Sequence, residues 1–314
     1  MPMRSTLLAA VLAMLGCTML VAGTTLIAKA LGSGALGQQI HPLMISQSRF
    51  LWGFVAVALF LGLRRATGRQ PWRQSADTPR PHYRRHLIRT MLGYTGGGLM
   101  FAASAHLPLA DANALSFTSP VATMAFAILV LGERVGPWRW AAACIAMAGA
   151  AILLRPGAGV IQPAALLALG AAVCMGIENI FIKRLATSEP FGRTMLINNA
   201  MGMGISALIA APVLTWPQSP QVWAALIAIG VVMVSAQILL LTANRLADVS
   251  FVAPFFYITL VWAALYDIAV FDLWPDAVSI TGACIVVAGG LLMTWREVRA
   301  GRRTLPGATG NALR

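Results

Sequence analysis

The chain has 314 residues, 58% of them hydrophobic and 11% charged, with a formal net charge of +13. A soluble protein of this size carries about twice that charged fraction, and apolar runs of about 20 residues, each long enough to cross a hydrocarbon core, recur along the chain. Composition therefore excludes a soluble domain. The alternating ten-residue segments of a membrane β-barrel are missing too, so the expected class is an all-α polytopic membrane protein.

In chain order the apolar runs place ten spans, at roughly 7–30, 40–63, 87–106, 112–131, 138–154, 164–182, 194–213, 222–241, 250–270 and 277–295. Met1 to Arg4 before an apolar run resembles a signal peptide. The run continues to Ala30 and a second span follows at once, so it reads as the first transmembrane helix. The longest connector, Leu63 to Leu87, is basic, and Pro71, Pro79 and Pro81 argue against a long helix there. Cys17, Cys144, Cys174 and Cys284 all lie inside apolar runs with no CxxC or Cys/His cluster, and read as small core residues. No metal and no cofactor are expected.

With both termini in the cytoplasm, ten spans put 20 of the Lys and Arg residues on the inner side and only Lys29 and Arg155 on the outer, with Arg49 inside a span. That asymmetry is the positive-inside pattern of an inner-membrane protein. It accounts for the net charge as orientation rather than nucleic-acid binding. The expected partners are the lipid bilayer and a small organic substrate, and the expected state is a monomer or a homodimer.

An internal repeat centres on Ala110 to Pro156. Two apolar helices there flank the hairpin Gly132-Glu133-Arg134-Val135-Gly136-Pro137, and the second helix is rich in Ala and Gly. The module returns as Ala247 to Glu297. At an offset of 140, Ala143-Cys144-Ile145 and Ala148-Gly149 fall on Ala283-Cys284-Ile285 and Ala288-Gly289. Each copy closes one half of the protein. Ten spans divide into two sets of five, and because five is odd the second set is inverted, the usual construction of secondary transporters. The expected units are 1–155, with the basic loop 64–89, and 156–314, with the basic tail.

These residues carry a resemblance. Ala114-Leu115-Ser116-Phe117-Thr118-Ser119-Pro120, Leu131-Gly132-Glu133-Arg134 and Ala148-Gly149-Ala150 in the first half resemble the signature of the drug/metabolite transporter superfamily, in its ten-helix branch built from two EamA domains. Val252-Ala253-Pro254-Phe255, Leu260 to Leu265, Val287 to Leu291 and Trp295-Arg296-Glu297 resemble it in the second. One departure stands out: where the family often closes the ninth helix on Gly-Glu, this chain has Asp272-Leu273. The resemblance implies electrochemically driven movement of small organic solutes through a cavity lined by the first, third, fourth, sixth, eighth and ninth helices, with the fifth and tenth outside it.

Polar groups inside the spans are the candidate site, because an ionisable group at mid-membrane costs about 3 kcal/mol. Glu178, beside Asn179, reads as a proton-coupling carboxylate or as a buried partner of Lys183, Arg184, Asn198 or Asn199. Lys29 shares a helical stripe with Thr18 and Thr25; it would bind an anionic group, snorkel to the interface or pair with Asp267. Arg49 reads as structural, and His41 and His106 as interfacial. Asn113, Ser116, Ser119 and Thr123 recur at steps of three and four on one face of the fourth helix, beside Pro120, and fit a cavity lining. Tyr94 and Gly98 on the third helix, Gln237 on the eighth, and Tyr257 and Trp262 on the ninth complete the expected lining. Gly96, Gly97 and Gly98 either permit close packing or leave room beside a ligand. Aromatics and amides suit a flat or amphipathic organic solute.

No catalytic residues are expected, since no HExxH, GxSxG or histidine-rich box is present, and no nucleotide-binding GxxxxGK[ST] motif supplies ATP drive. The leading expectation is a secondary transporter, in the export direction, for amino acids or related amphipathic metabolites. The alternatives are an uptake permease for a vitamin or nucleoside-type metabolite, such as riboflavin or S-adenosylmethionine, and a non-transporting membrane sensor.

Overall fold

In lipid an apolar chain has no water to satisfy its backbone, so each crossing must bond to itself as a helix. The computed structural model describes residues 2–67, 80–104, 106, 115–155, 163–271, 274 and 276–303, and every regular element among them is helical. The elements are α1 (Pro2–Ser33), α2 (Pro42–Ala66), α3 (Tyr83–Ser104), α4 (Ser119–Phe126, continued by a π-helical turn Ala127–Leu131), α5 (Pro137–Leu154), α6 (Ala165–Ser188), α7 (Phe191–Ala210), α8 (Pro220–Leu246), α9 (Val249–Val252, a 3-10 stretch Ala253–Tyr257, then Ile258–Phe271) and α10 (Ala277–Arg303). Eight of these are long and apolar enough to cross a membrane, and α4 is a shorter apolar helix over Ser119–Leu131. The remaining one, α3, opens on Tyr83-Arg84-Arg85-His86 and carries Arg89 further in.

Proline sets the irregular ends. Pro120 lies in the first turn of α4, where a missing N–H costs nothing. Leu115 and Ser116 are helical, a turn at Phe117 and Thr118 interrupts the run, and α4 continues from Ser119. Ser119 and Thr123 share a face of α4 as expected, and Ser116 lies in the helical residues Leu115–Ser116, separated from them by the turn at Phe117 and Thr118. Asn113 lies outside the described residues, as do the side chain of Asp267 and all of Asp272. Pro254 has the matching effect in α9, where the chain tightens into the 3-10 stretch before resuming as α-helix at Ile258.

Helix pairing follows the division into halves. The most extensive contacts are α5 on α10, α1 on α8, α3 on α6, α2 on α7 and on α8, α4 on α6, and α1 on α9. Exchanging α1 to α5 with α6 to α10 maps α1–α8 onto α6–α3 and α4–α6 onto α9–α1, while α5–α10 and α2–α7 map onto themselves. At the α5–α10 contact the symmetry holds residue by residue. A Cβ on Gly149 would meet the Val286 amide at 2.7 Å and the Gly282 carbonyl at 2.8 Å, and one on Gly289 would meet the Ala146 Cβ at 2.9 Å and the Ala142 carbonyl at 3.0 Å. At the offset of 140, each contact is the image of the other. Small residues let the two backbones touch, the usual basis of helix association in lipid.

Contacts between connectors fix the faces. Gln38, after α1, donates to the Trp216 carbonyl and accepts from the Gln218 amide, before α8. Arg155 at the end of α5 pairs with Asp276 at the start of α10. On the opposite face Glu133, between α4 and α5, meets the start of α9, and His82, before α3, meets Glu189 after α6. Each contact joins connectors that ten alternating crossings place on one side. Leu129, Leu166 and Leu208 are 78%, 70% and 81% exposed, a liability in water and the lipid-facing surface here. Exposed Trp216 and Trp274 on one face, and Trp138 and Trp295 on the other, mark the interfacial aromatic belts.

Candidate functional site

The site is organised by α6, which runs between α3 and α4. Toward α4 the approach is close because Gly176 has no side chain; a Cβ there would meet Ala122 Cβ at 2.9 Å and the Thr123 amide at 3.0 Å. Asn179, on the same helix, donates through Nδ2 to Thr123 Oγ1 at 3.3 Å, and Thr123 in turn donates to the Ser119 carbonyl at 2.9 Å. Three of the expected lining residues thus form one polar thread between α6 and α4.

Toward α3, the neighbour of Asn179 points the other way. Glu178 Oε1 lies 3.8 Å from Arg89 Nε, with the carboxylate side chain 26% exposed and the guanidinium 2%. Gly93, one turn beyond Arg89 on α3, makes room for the carboxylate: a Cβ there would stand 3.2 Å from both Glu178 oxygens. Arg49 on α2 interacts electrostatically with both Glu178 and Arg89. Its guanidinium lies 4.5 Å over the Phe50 ring, which stacks at 5.5 Å on Tyr94. Tyr94 reaches the Gly202 carbonyl on α7 at 3.4 Å.

The partners expected for Glu178 are therefore not the ones it has. Lys183 donates instead to the Asn244 and Ala247 carbonyls at the end of α8, Arg184 to the Val130 carbonyl, and Asn199 to the Met195 carbonyl of its own helix. Counting charge alone does not single out Arg89. Its charge reads as part of the basic connector 64–89, although it falls inside the third expected span and four residues before Gly93, on one helix face.

Where α4 and α9 meet, the aromatic groups gather. Tyr257 is fully buried in the 3-10 stretch of α9 and stacks on Phe117 with centroids 6.1 Å apart. The Tyr257 hydroxyl, Trp262 Nε1 and Gln237 Oε1 are each buried without a hydrogen-bond partner. A buried polar atom left unpaired costs roughly 1–3 kcal/mol, so each of these three atoms calls for a hydrogen-bonding partner. Thr25 and Lys29 lie exposed on α1. Of the three consecutive glycines on α3, only Gly96 is packed, with the Ala171 carbonyl 3.4 Å from its missing Cβ; Gly97 and Gly98 face open space.

One end of the site is closed by the repeat's hairpin. The π-helical turn of α4 ends at Gly132, whose φ of +68 is the left-handed conformation that glycine adopts without strain. The turn aims Glu133 at the start of α9. Its carboxylate accepts from the Val249 amide at 2.9 Å, the Ser250 amide at 3.0 Å and the Ser250 hydroxyl at 2.5 Å, where the helix N-terminus favours negative charge. Arg139 from α5 donates to Ser250 Oγ and to Asp248 Oδ2 at 3.0 Å. The Gly-Glu pair of the first half is thus a clasp onto the second.

Crossing helices paired across two halves, with interruptions in the fourth and ninth, define a polytopic helical membrane protein built on two related halves. The chain belongs to the EamA-like transporter family, whose model matches residues 7–155 and again 162–295. It is 32% identical to a riboflavin transporter of Vibrio cholerae, over 69% of this chain and 74% of the relative. It is 24% identical to an S-adenosylmethionine uptake transporter of Rickettsia prowazekii, over 84% of this chain and 87% of the relative. To the pseudopaline exporter CntI of Pseudomonas aeruginosa it is 27% identical, over 66% and 74%. A solved crystal structure aligns with a TM-score of 0.74 at 22% identity, covering 93% of this chain and 98% of that one, and shares the fold.

Proposed function

We propose that the chain is a secondary transporter that carries a flat or amphipathic organic metabolite through the space between α3, α4, α6, α8 and α9, in a bacterial inner membrane with both termini cytoplasmic. The observation that carries this reading is the pair of interrupted helices. Pro120 and Pro254 shorten or break the fourth and ninth helices, the corresponding elements of the two halves, and such pairs point to the substrate site of inverted-repeat carriers. The units 1–155 and 156–314 then act as the two moving halves. Glu178 is the proposed proton-coupling carboxylate, able to be pressed against Arg89 or released from it as α3 and α6 shift.

Export of amino-acid-like solutes is the first reading. Uptake of a vitamin- or nucleoside-type solute is the second, supported by the S-adenosylmethionine uptake relative, which matches over 84% of this chain. Proteoliposomes with a pH gradient imposed in either direction test both, using radiolabelled amino acids, riboflavin and S-adenosylmethionine. Accumulation of one solute class that follows the gradient supports transport and assigns its direction. Absence of flux for every class leaves a non-transporting sensor.

A further inference from the structure

The charges around Glu178 do not balance. Two guanidinium groups, Arg49 from α2 and Arg89 from α3, face one carboxylate, and among the described residues no other acidic side chain interacts with either of them. Arg89 is 2% exposed. Arg89 Nε and Nη1, and Arg49 Nε, are buried without hydrogen-bond partners. Inside a membrane an uncompensated charge is expensive and calls for a partner, and a guanidinium offers a planar fork that fits carboxylate and phosphate oxygens. Glu178 meets only part of that demand, through one ion-pair contact at 3.8 Å.

We propose that the Arg49–Arg89–Glu178 cluster is an anion site that takes the carboxylate or phosphate group of a solute, one negative charge completing the neutralisation that Glu178 leaves unfinished. The partly exposed Glu178 marks the open side of the cluster, while the Phe50–Tyr94 stack supports Arg49 from beneath. A solute held here by its anionic group extends its body toward the Thr123–Asn179 thread on the other flank of α6. The assignment rests on the transporter reading and narrows its substrate class to organic anions and zwitterions.

Charge arithmetic makes the test unusual. Removing either arginine leaves a neutral site, whereas removing the Glu178 charge leaves a site two charges short. The full-length protein is placed in phosphatidylcholine nanodiscs at constant ionic strength, with sodium chloride replaced stepwise by sodium acetate or sodium phosphate, and its melting temperature is followed. The wild type should be stabilised by at least one of the two anions, as mass action requires of a bound ligand. Arg49→Gln and Arg89→Gln should lose that response, and Glu178→Gln should bind the anion tighter, by roughly tenfold, since binding and charge removal are coupled free energies.

No response of the wild type to either anion overturns the site. So does an unchanged response in both arginine variants, or weaker binding in Glu178→Gln. Should the arginine variants fail to fold, the wild type and Glu178→Gln decide the question alone. Phosphatidylglycerol added to the nanodiscs separates a solute site, which responds as before, from a headgroup site, which is already filled and falls silent; the second result overturns the assignment to a solute. Flux of neutral riboflavin without any anion response would leave the transporter standing and remove the anion site. Anion binding without flux of any solute would do the reverse.

Discussion

Glu133 and Asp276 show how differently two charged side chains act in one molecule. Glu133 accepts three hydrogen bonds at the start of α9, and bonds to a charged group are worth about 1.5–3 kcal/mol each in favourable settings. Glu133→Ala should lower the melting temperature of the purified protein by several degrees, with Glu133→Gln intermediate; an unchanged melting curve would remove its clasping role. Asp276 is held well below the usual carboxylate range by the Arg155 guanidinium and then by the Ser279 amide. Its stabilising effect is therefore present at neutral pH and is lost only as pH falls below the ordinary aspartate range. Both partners are about half exposed, at 50% and 53%, and solvent-exposed pairs contribute little. Asp276→Asn should lower the neutral-pH melting temperature only slightly, and that small difference from the wild type should close as pH falls below the ordinary aspartate range. For Glu178, the conservative variant Glu178→Gln should keep substrate exchange and lose accumulation driven by a pH gradient. Accumulation that stays as pH-dependent as in the wild type would end the coupling role. Sequence showed Glu178 as an anomaly, because a lone acid in an apolar run needs a reason. It did not show Arg89 as its partner, since a basic residue at the edge of a span reads as part of the adjoining basic connector until the packing of α3 on α6 is known.

At the scale of helices, the sequence read well wherever apolar length or small residues decide the outcome. The expected spans lie close to the helices found, and the Ala/Gly-rich segments do pair, α5 with α10. It read poorly where a turn decides: the continuous polar face expected on the fourth helix is interrupted between Ser116 and Ser119 by the turn at Phe117 and Thr118, just before Pro120. Glycines make the distinction testable. At Gly149 any Cβ meets backbone at 2.7 and 2.8 Å, which cannot move away as a side-chain tip can. Gly149→Val should therefore cost about 1–3 kcal/mol by overpacking, seen as reduced yield and a lower melting temperature. Gly98 meets nothing within 4 Å, so Gly98→Phe should fold as the wild type does. If Gly98 borders the solute path, the added ring should cut flux severalfold in proteoliposomes. Flux equal to wild type would place it against lipid.

Over the whole molecule, counting Lys and Arg anticipated which connectors share a face, and the contacts between connectors agree with that arrangement. What no count could show is that one face is clasped. Glu133 and Arg139 tie the α4–α5 hairpin to the start of α9, and Lys183 of α6 donates to the Ala247 carbonyl at the end of α8 at 2.5 Å. These bonds join the first half to the second and one helix of the second to another. A carrier that exposes its site alternately to each side must break the first kind during every cycle, and the solute must bind the open state better by enough to offset that loss. The clasp is therefore the natural place to stop the cycle. In a cysteine-free background, Glu133→Cys with Ser250→Cys places two thiols where a carboxylate and a hydroxyl now meet. Oxidation should abolish flux and a reducing agent should restore it, while each single variant continues to transport under both conditions. Solute binding measured by melting temperature should persist in the oxidised protein, because the cross-link blocks opening of one face and not the site itself. If the oxidised double variant transports as fast as the reduced one, with the cross-link verified by its altered mobility on a denaturing gel, then the hairpin face stays closed throughout the cycle and the solute path lies elsewhere.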